Sequence, residues 1–120
     1  MKTKTLLITI LISLIGFSFT NYNSEVSYFV QFKIDTISTN EQAMIIDQKM
    51  KTKSGIKISR TDYITSTYFC VLKPGIEYTK ENFENWFEKL GYKISCYNTG
   101  IQGQDKSISP YILKNCQNEK

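Results

Sequence analysis

The stretch ENWFEKLGYKIS, Glu84 to Ser95, joins two periodicities across one glycine. Phe83, Trp86, Phe87 and Leu90 recur at i, i+3, i+4 and i+7, which is one face of an amphipathic helix. Thr79 supplies an N-cap hydroxyl upstream, and Gly91 offers the left-handed conformation in which helices commonly stop. Directly beyond it, YKISCY (Tyr92–Tyr97) has the β-branched and aromatic content of a strand.

Working outward, VSYFVQFKI (Val26–Ile34) alternates Val30, Phe32 and Ile34 against Gln31, Lys33 and Asp35, the period of a half-buried strand. STNEQAMIIDQKMKTKSG follows, with Ala43, Ile46 and Met50 on one helical side and Gly55 as the stop, a helix of about four turns. Ile56 to Lys73 reads extended and is long enough for a hairpin turning near Thr61-Asp62 or Thr65-Ser66. The order from Val26 to Asn98 is β-α-β-β-α-β. It predicts an α+β, ferredoxin-like sandwich: a four-stranded antiparallel sheet in order 4-1-3-2 with both helices on one face. The polar residues 99–120, with one apolar patch at Tyr111-Ile112-Leu113, are expected to form a loop with at most one added strand.

The first twenty residues, MKTKTLLITILISLIGFSFT, carry two lysines, an uncharged apolar run from Leu6 to about Phe17 and then small residues, the pattern of a secretory signal peptide. Cleavage is expected after Ser18 or Thr20, and the alternative is an uncleaved membrane anchor, for which the run is short. Export places the protein in the cell envelope, secreted or periplasmic, as a single domain over residues 21–98 with a tail over 99–120. Removing Lys2 and Lys4 lowers the formal charge from +4 to +2, and the remaining lysines are interspersed with acids, so neither a nucleic-acid partner nor a stable membrane span after cleavage is expected. The lysines Lys49, Lys51, Lys53 and Lys57 read as the solvated end of the first helix, where cations offset the helix dipole.

This arrangement resembles the heavy-metal-associated domain family of copper chaperones and mercury-binding proteins. The resemblance runs through the strand ending at Ile34, Ile46 and Met50, the Gly55-Ile56 step, Pro74, Phe83 and Phe87, and Leu90-Gly91-Tyr92. In that family the loop after the first strand carries G-M-x-C-x-x-C. Counting back from Gly55 sets Thr36 and Ile37 at the Gly-Met positions and Thr39 and Gln42 at the two cysteine positions. A hydroxyl and an amide are poor donors for a soft ion, so no metal and no other cofactor is expected there. Thr39-Asn40-Glu41-Gln42 reads instead as a capping box.

Three cysteines remain, Cys70, Cys96 and Cys116, and the chain has no histidine. The family alignment sets Cys70 on the helix-facing side of the third strand, and Ile94 and Cys96 share a parity on the fourth, which predicts both cysteines as small core residues. Strands three and four flank strand one, roughly 9–10 Å apart, too far for a Cys70–Cys96 bond. Cys96–Cys116 is therefore the candidate disulfide, folding the tail over the sheet edge. Without histidine the commonest general base is missing, and Asp35, Glu41 and Asp47 near the first helix read as dipole complements. Tyr22, Tyr28, Tyr63 and Tyr97 are expected at the surface as candidates for a binding face. The expectation is a non-catalytic binding or interaction module for an envelope protein or small ligand. The alternative is a metal-sequestering protein using Cys70, Cys96 or Cys116 with Met44 or Met50.

Overall fold

The computed structural model describes residues 25–117. The expected signal peptide, its cleavage site and Tyr22 lie outside the described residues. The elements are β1 (Tyr28–Ile34), α1 (Asn40–Lys51), β2 (Ile56–Asp62), β3 (Thr67–Leu72), α2 (Lys80–Lys89), β4 (Ile94–Ile101) and a single helical turn, α3 (Pro110–Leu113). β1 pairs antiparallel with β3 on one side and β4 on the other, and β2 pairs antiparallel with β3. The resulting order, β2-β3-β1-β4, is the expected 4-1-3-2 order read from the other edge.

Alternation along the central strands builds the core. Val30, Phe32 and Ile34 of β1 and Tyr68, Cys70 and Leu72 of β3 point to one face, where they meet Ala43, Ile46 and Met50 of α1 and Phe83 and Phe87 of α2. Phe32 is the hub, with ring centroids 5.0 Å from Phe87, 5.1 Å from Tyr68 and 5.8 Å from Phe83. Edge-on and offset pairs of this kind add about 0.5–1.5 kcal/mol each beyond the burial of the rings. Truncating Phe32 to alanine therefore belongs with the core changes that cost about 3–5 kcal/mol.

Local chemistry sets the boundaries. Gly91 adopts φ 95°, and its N–H donates to Glu88 O at 2.9 Å, closing α2 as its position in the sequence suggests. α1 stops earlier than expected, at Lys51, and Gly55 has a different task. A Cβ there would lie 2.5 Å from Ile76 and 2.6 Å from the Tyr78 hydroxyl, so glycine admits close packing of the loop before α2. The hairpin turns over residues 63–66, the later of the two expected positions, because Asp62 Oδ1 and Oδ2 accept from Ile64 N–H and the Thr65 hydroxyl.

Asp47 is not a first-turn dipole complement. It lies in the second half of α1, where its carboxylate accepts from Ser59 Oγ at 2.9 Å and Thr61 Oγ1 at 2.7 Å, tying the helix to the outer strand β2. The Ser59 hydroxyl also bonds the Tyr68 hydroxyl at 2.8 Å, so this polar chain reaches the core with its partners satisfied.

The C-terminal tail packs on the second face of the sheet: residues 102–109 are loop, as expected, and one helical turn follows where at most an added strand was expected. β4 continues through Ile101, past the boundary expected at Asn98, and the chain returns across β1. Ser109 caps α3, Pro110 takes its first position, and Leu113 is buried at 3 % exposure. The tail is part of the domain.

Candidate functional site

The β1–α1 loop is the first place to look, since the resemblance puts the metal-binding pair there. Thr36, which the resemblance sets at the glycine position, has φ 65°, a left-handed conformation uncommon for a β-branched residue. Ile37, which the resemblance sets at the methionine position, is buried at 5 % exposure in the core cluster. Thr39 and Gln42 hold each other. Gln42 N–H donates to Thr39 Oγ1 at 3.2 Å, and Gln42 Oε1 accepts from the backbone N–H groups of Ser38 at 2.8 Å and Thr39 at 3.1 Å. The capping box engages the acceptor oxygens of both side chains on the helix's own first turn.

Of the three cysteines, only Cys96 is placed differently from the expectation. Cys70 is a free thiol at 0 % exposure. Burial pushes its pKa up to about 12, with hydrogen bonding to Tyr68 and the Val30 backbone offsetting part of that rise. Cys96 is not a core residue. The β1–β4 register runs Gln31 opposite Asn98 and Lys33 opposite Ser95, so Phe32 alone faces both Cys96 and Tyr97. This is a β-bulge, with Cys96 at φ 56°. It breaks the parity shared by Ile94 and Cys96. The ring of Tyr97 takes the core slot, parallel to Phe32 within 10° at a centroid distance of 6.2 Å. Burial pushes the Tyr97 hydroxyl up to about 12 as well.

Turned away from the core, Cys96 is bonded to Cys116 with Cα atoms 6.5 Å apart, and the closed segment lies over the sheet face. Two further contacts clamp it. Gln31 is buried at 2 % exposure, and its side-chain amide pairs with the backbone of Ile108: Oε1 accepts from Ile108 N–H at 2.8 Å, and Nε2 donates to Ile108 O at 2.9 Å. Asn98 Nδ2 donates to the same Oε1 at 2.8 Å. The Lys33 ammonium donates to Cys116 O at 2.9 Å. Alternation assigns Gln31 and Lys33 to the solvent side of β1, and only the returning tail shows them to be clamps. One cue was legible: Ser109-Pro110 before an apolar triplet is a helix start.

Between tail and hairpin lies a cleft of about 300 Å³ lined by residues that include Gln31, Arg60, Asp62, Phe69, Ser107 and Leu113. The tyrosines do not form one binding face. Tyr28 and Tyr97 pack against the core cluster, while Tyr63 is exposed in the hairpin turn. The groups considered for an atypical soft-metal site are also spread out. Met50 and Cys70 belong to the core, Met44 is exposed on α1, and Cys96 and Cys116 are bonded to each other. Among the described residues no three histidine, cysteine or acidic side chains are grouped as metal ligands, and no helix is long and apolar enough to cross a membrane. Comparisons with protein-family models, curated proteins and solved structures return no match.

Proposed function

We propose that this chain is an exported, heavy-metal-associated-like scaffold that works as a non-catalytic binding module in the cell envelope, without the family's thiolate metal grip. The observation that carries the reading is the β1–α1 loop. Gln42 Oε1 accepts two backbone N–H groups and Thr39 Oγ1 a third, in the turn where two thiolates would otherwise hold a soft ion. The cysteine arrangement supports the same reading, because two thiols are oxidised and the third is inside the core. The cleft between tail and hairpin is the concave surface for a small ligand or peptide.

Copper(I) titration of the oxidised protein tests the proposal, with no tight equivalent expected. A Thr39→Cys, Gln42→Cys variant should gain copper(I) affinity by orders of magnitude, since it restores two thiolates at a helix N-terminus. Tight binding of one copper by the parent would overturn the emptied-site reading. A folded double variant that gains nothing would overturn the assignment of those two positions. Export is tested separately by intact mass: the envelope protein should begin near Phe19 or Asn21, and a membrane-bound species retaining Met1 would show an anchor instead.

A further inference from the structure

The C-terminal ends of α1 and α2 converge on Trp86. Lys49 comes from the last turn of α1, Lys53 from the turn after it and Lys89 from the last turn of α2, and all three line one small cleft of about 110 Å³ with Thr52 and Trp86. Among the described residues its lining includes no carboxylate. Lysines at helix ends ordinarily complement the terminal carbonyls. Here those carbonyls have other donors. Lys49 O accepts from Thr52 N–H at 3.2 Å and Thr52 Oγ1 at 2.6 Å, and Met50 O accepts from Lys53 N–H at 3.0 Å. On α2, Phe87 O accepts from Leu90 N–H and Tyr92 N–H, and Glu88 O from Gly91 N–H.

The wall of the cleft is built from packed aromatic rings. The Trp86 indole meets Tyr78 at 4.9 Å and Phe83 at 5.2 Å, both edge-on, and the Lys53 ammonium lies 4.9 Å from its ring centroid. Lys53 is thereby held over the cleft, so less of its side-chain freedom is lost when it contacts a ligand. We infer that this cleft binds a phosphate-type anionic group, whose charge is matched by the three ammonium point charges while its carrier remains in solvent. The carrier is either a soluble phosphate ester or an anionic phospholipid headgroup. The site lies a helix length, about 18 Å, from the β1–α1 loop, so it stands whether or not that loop holds a metal.

Trp86 is the chain's single tryptophan, which makes its fluorescence a direct reporter. The purified protein is titrated at low salt with inorganic phosphate, and separately with vesicles of phosphatidylglycerol in phosphatidylcholine. Two variants of equal charge are compared: Lys49→Gln with Lys53→Gln and Lys89→Gln in the cleft, and Lys73→Gln with Lys80→Gln and Lys106→Gln elsewhere on the surface. Thermal midpoints confirm that both are folded. A saturable change with phosphate, weakened at least tenfold in the cleft variant and less than twofold in the other, supports the site. The same pattern with vesicles and an inert inorganic phosphate identifies the headgroup as the source. Silence in both titrations, or equal weakening in the two variants, overturns the inference.

Discussion

Replacing Cys96 and Cys116 together by serine removes the bond that closes the tail over the sheet. The two residues are 20 apart in sequence. A loop of that length restricts the unfolded chain by about 11 cal/mol/K, or about 3 kcal/mol at 25 °C. The native tail should stay docked in the variant, because Gln31 still pairs with Ile108, Lys33 still reaches Cys116 O's position and Leu113 is still buried. The effect then falls almost entirely on the unfolded state, raising the unfolding constant roughly 100-fold or more. Reversible urea denaturation of the oxidised parent and the variant is the assay, and the midpoint should fall by about 1–3 M. Hydrogen exchange at the Ile108 amide should stay slow in the variant. Coincident midpoints in a parent shown by mass spectrometry to be oxidised would refute the loop-closure account. Fast exchange at Ile108 would show that the disulfide alone holds the tail.

Gln31→Leu should cost about 2–4 kcal/mol by urea denaturation, because it strips three hydrogen bonds from a buried site and leaves the Ile108 N–H and C=O unpaired; a loss under about 0.5 kcal/mol would mean that the amide clamp contributes little. Thr36→Gly should stabilise by about 0.5–1 kcal/mol, since relief of the left-handed strain at φ 65° outweighs the added flexibility of the unfolded chain, and a lower melting temperature would contradict this. Alkaline pH should destabilise the protein. The folded Cys70 pKa of about 12 lies above that of an unfolded thiol, so between about pH 9 and 12 the unfolded state loses its proton first and stability falls as pH rises, by up to about 1.4 kcal/mol per pH unit. Urea midpoints at pH 7, 9 and 10.5 should show a shallower alkaline decline in Cys70→Ala than in the parent; equal slopes would assign the effect to other groups, the buried hydroxyls of Tyr68 and Tyr97 first.

Sequence by itself determined the elements whose signals are local. The alternation of Val30, Phe32 and Ile34 specified a face for β1, the spacing of Phe83, Trp86, Phe87 and Leu90 specified α2, and Gly91 specified its end. The Thr39–Gln42 cap was legible for the same reason, because both partners of each hydrogen bond lie within one turn. Tertiary structure decided whatever depends on residues far apart in the chain. Gln31 and Ile108 are 77 residues apart, and nothing near Gln31 in sequence distinguishes a buried clamp from a solvent-facing amide. The bulge at Cys96 shifts parity by one residue, which moves Tyr97 into the core and turns Cys96 outward, a choice made by packing against Phe32 across the sheet. Lys89 joins Lys49 and Lys53 only because both helices end on the same side of Trp86. A single strand's pattern says which of its faces is apolar; what covers the other face depends on where the rest of the chain is free to pack.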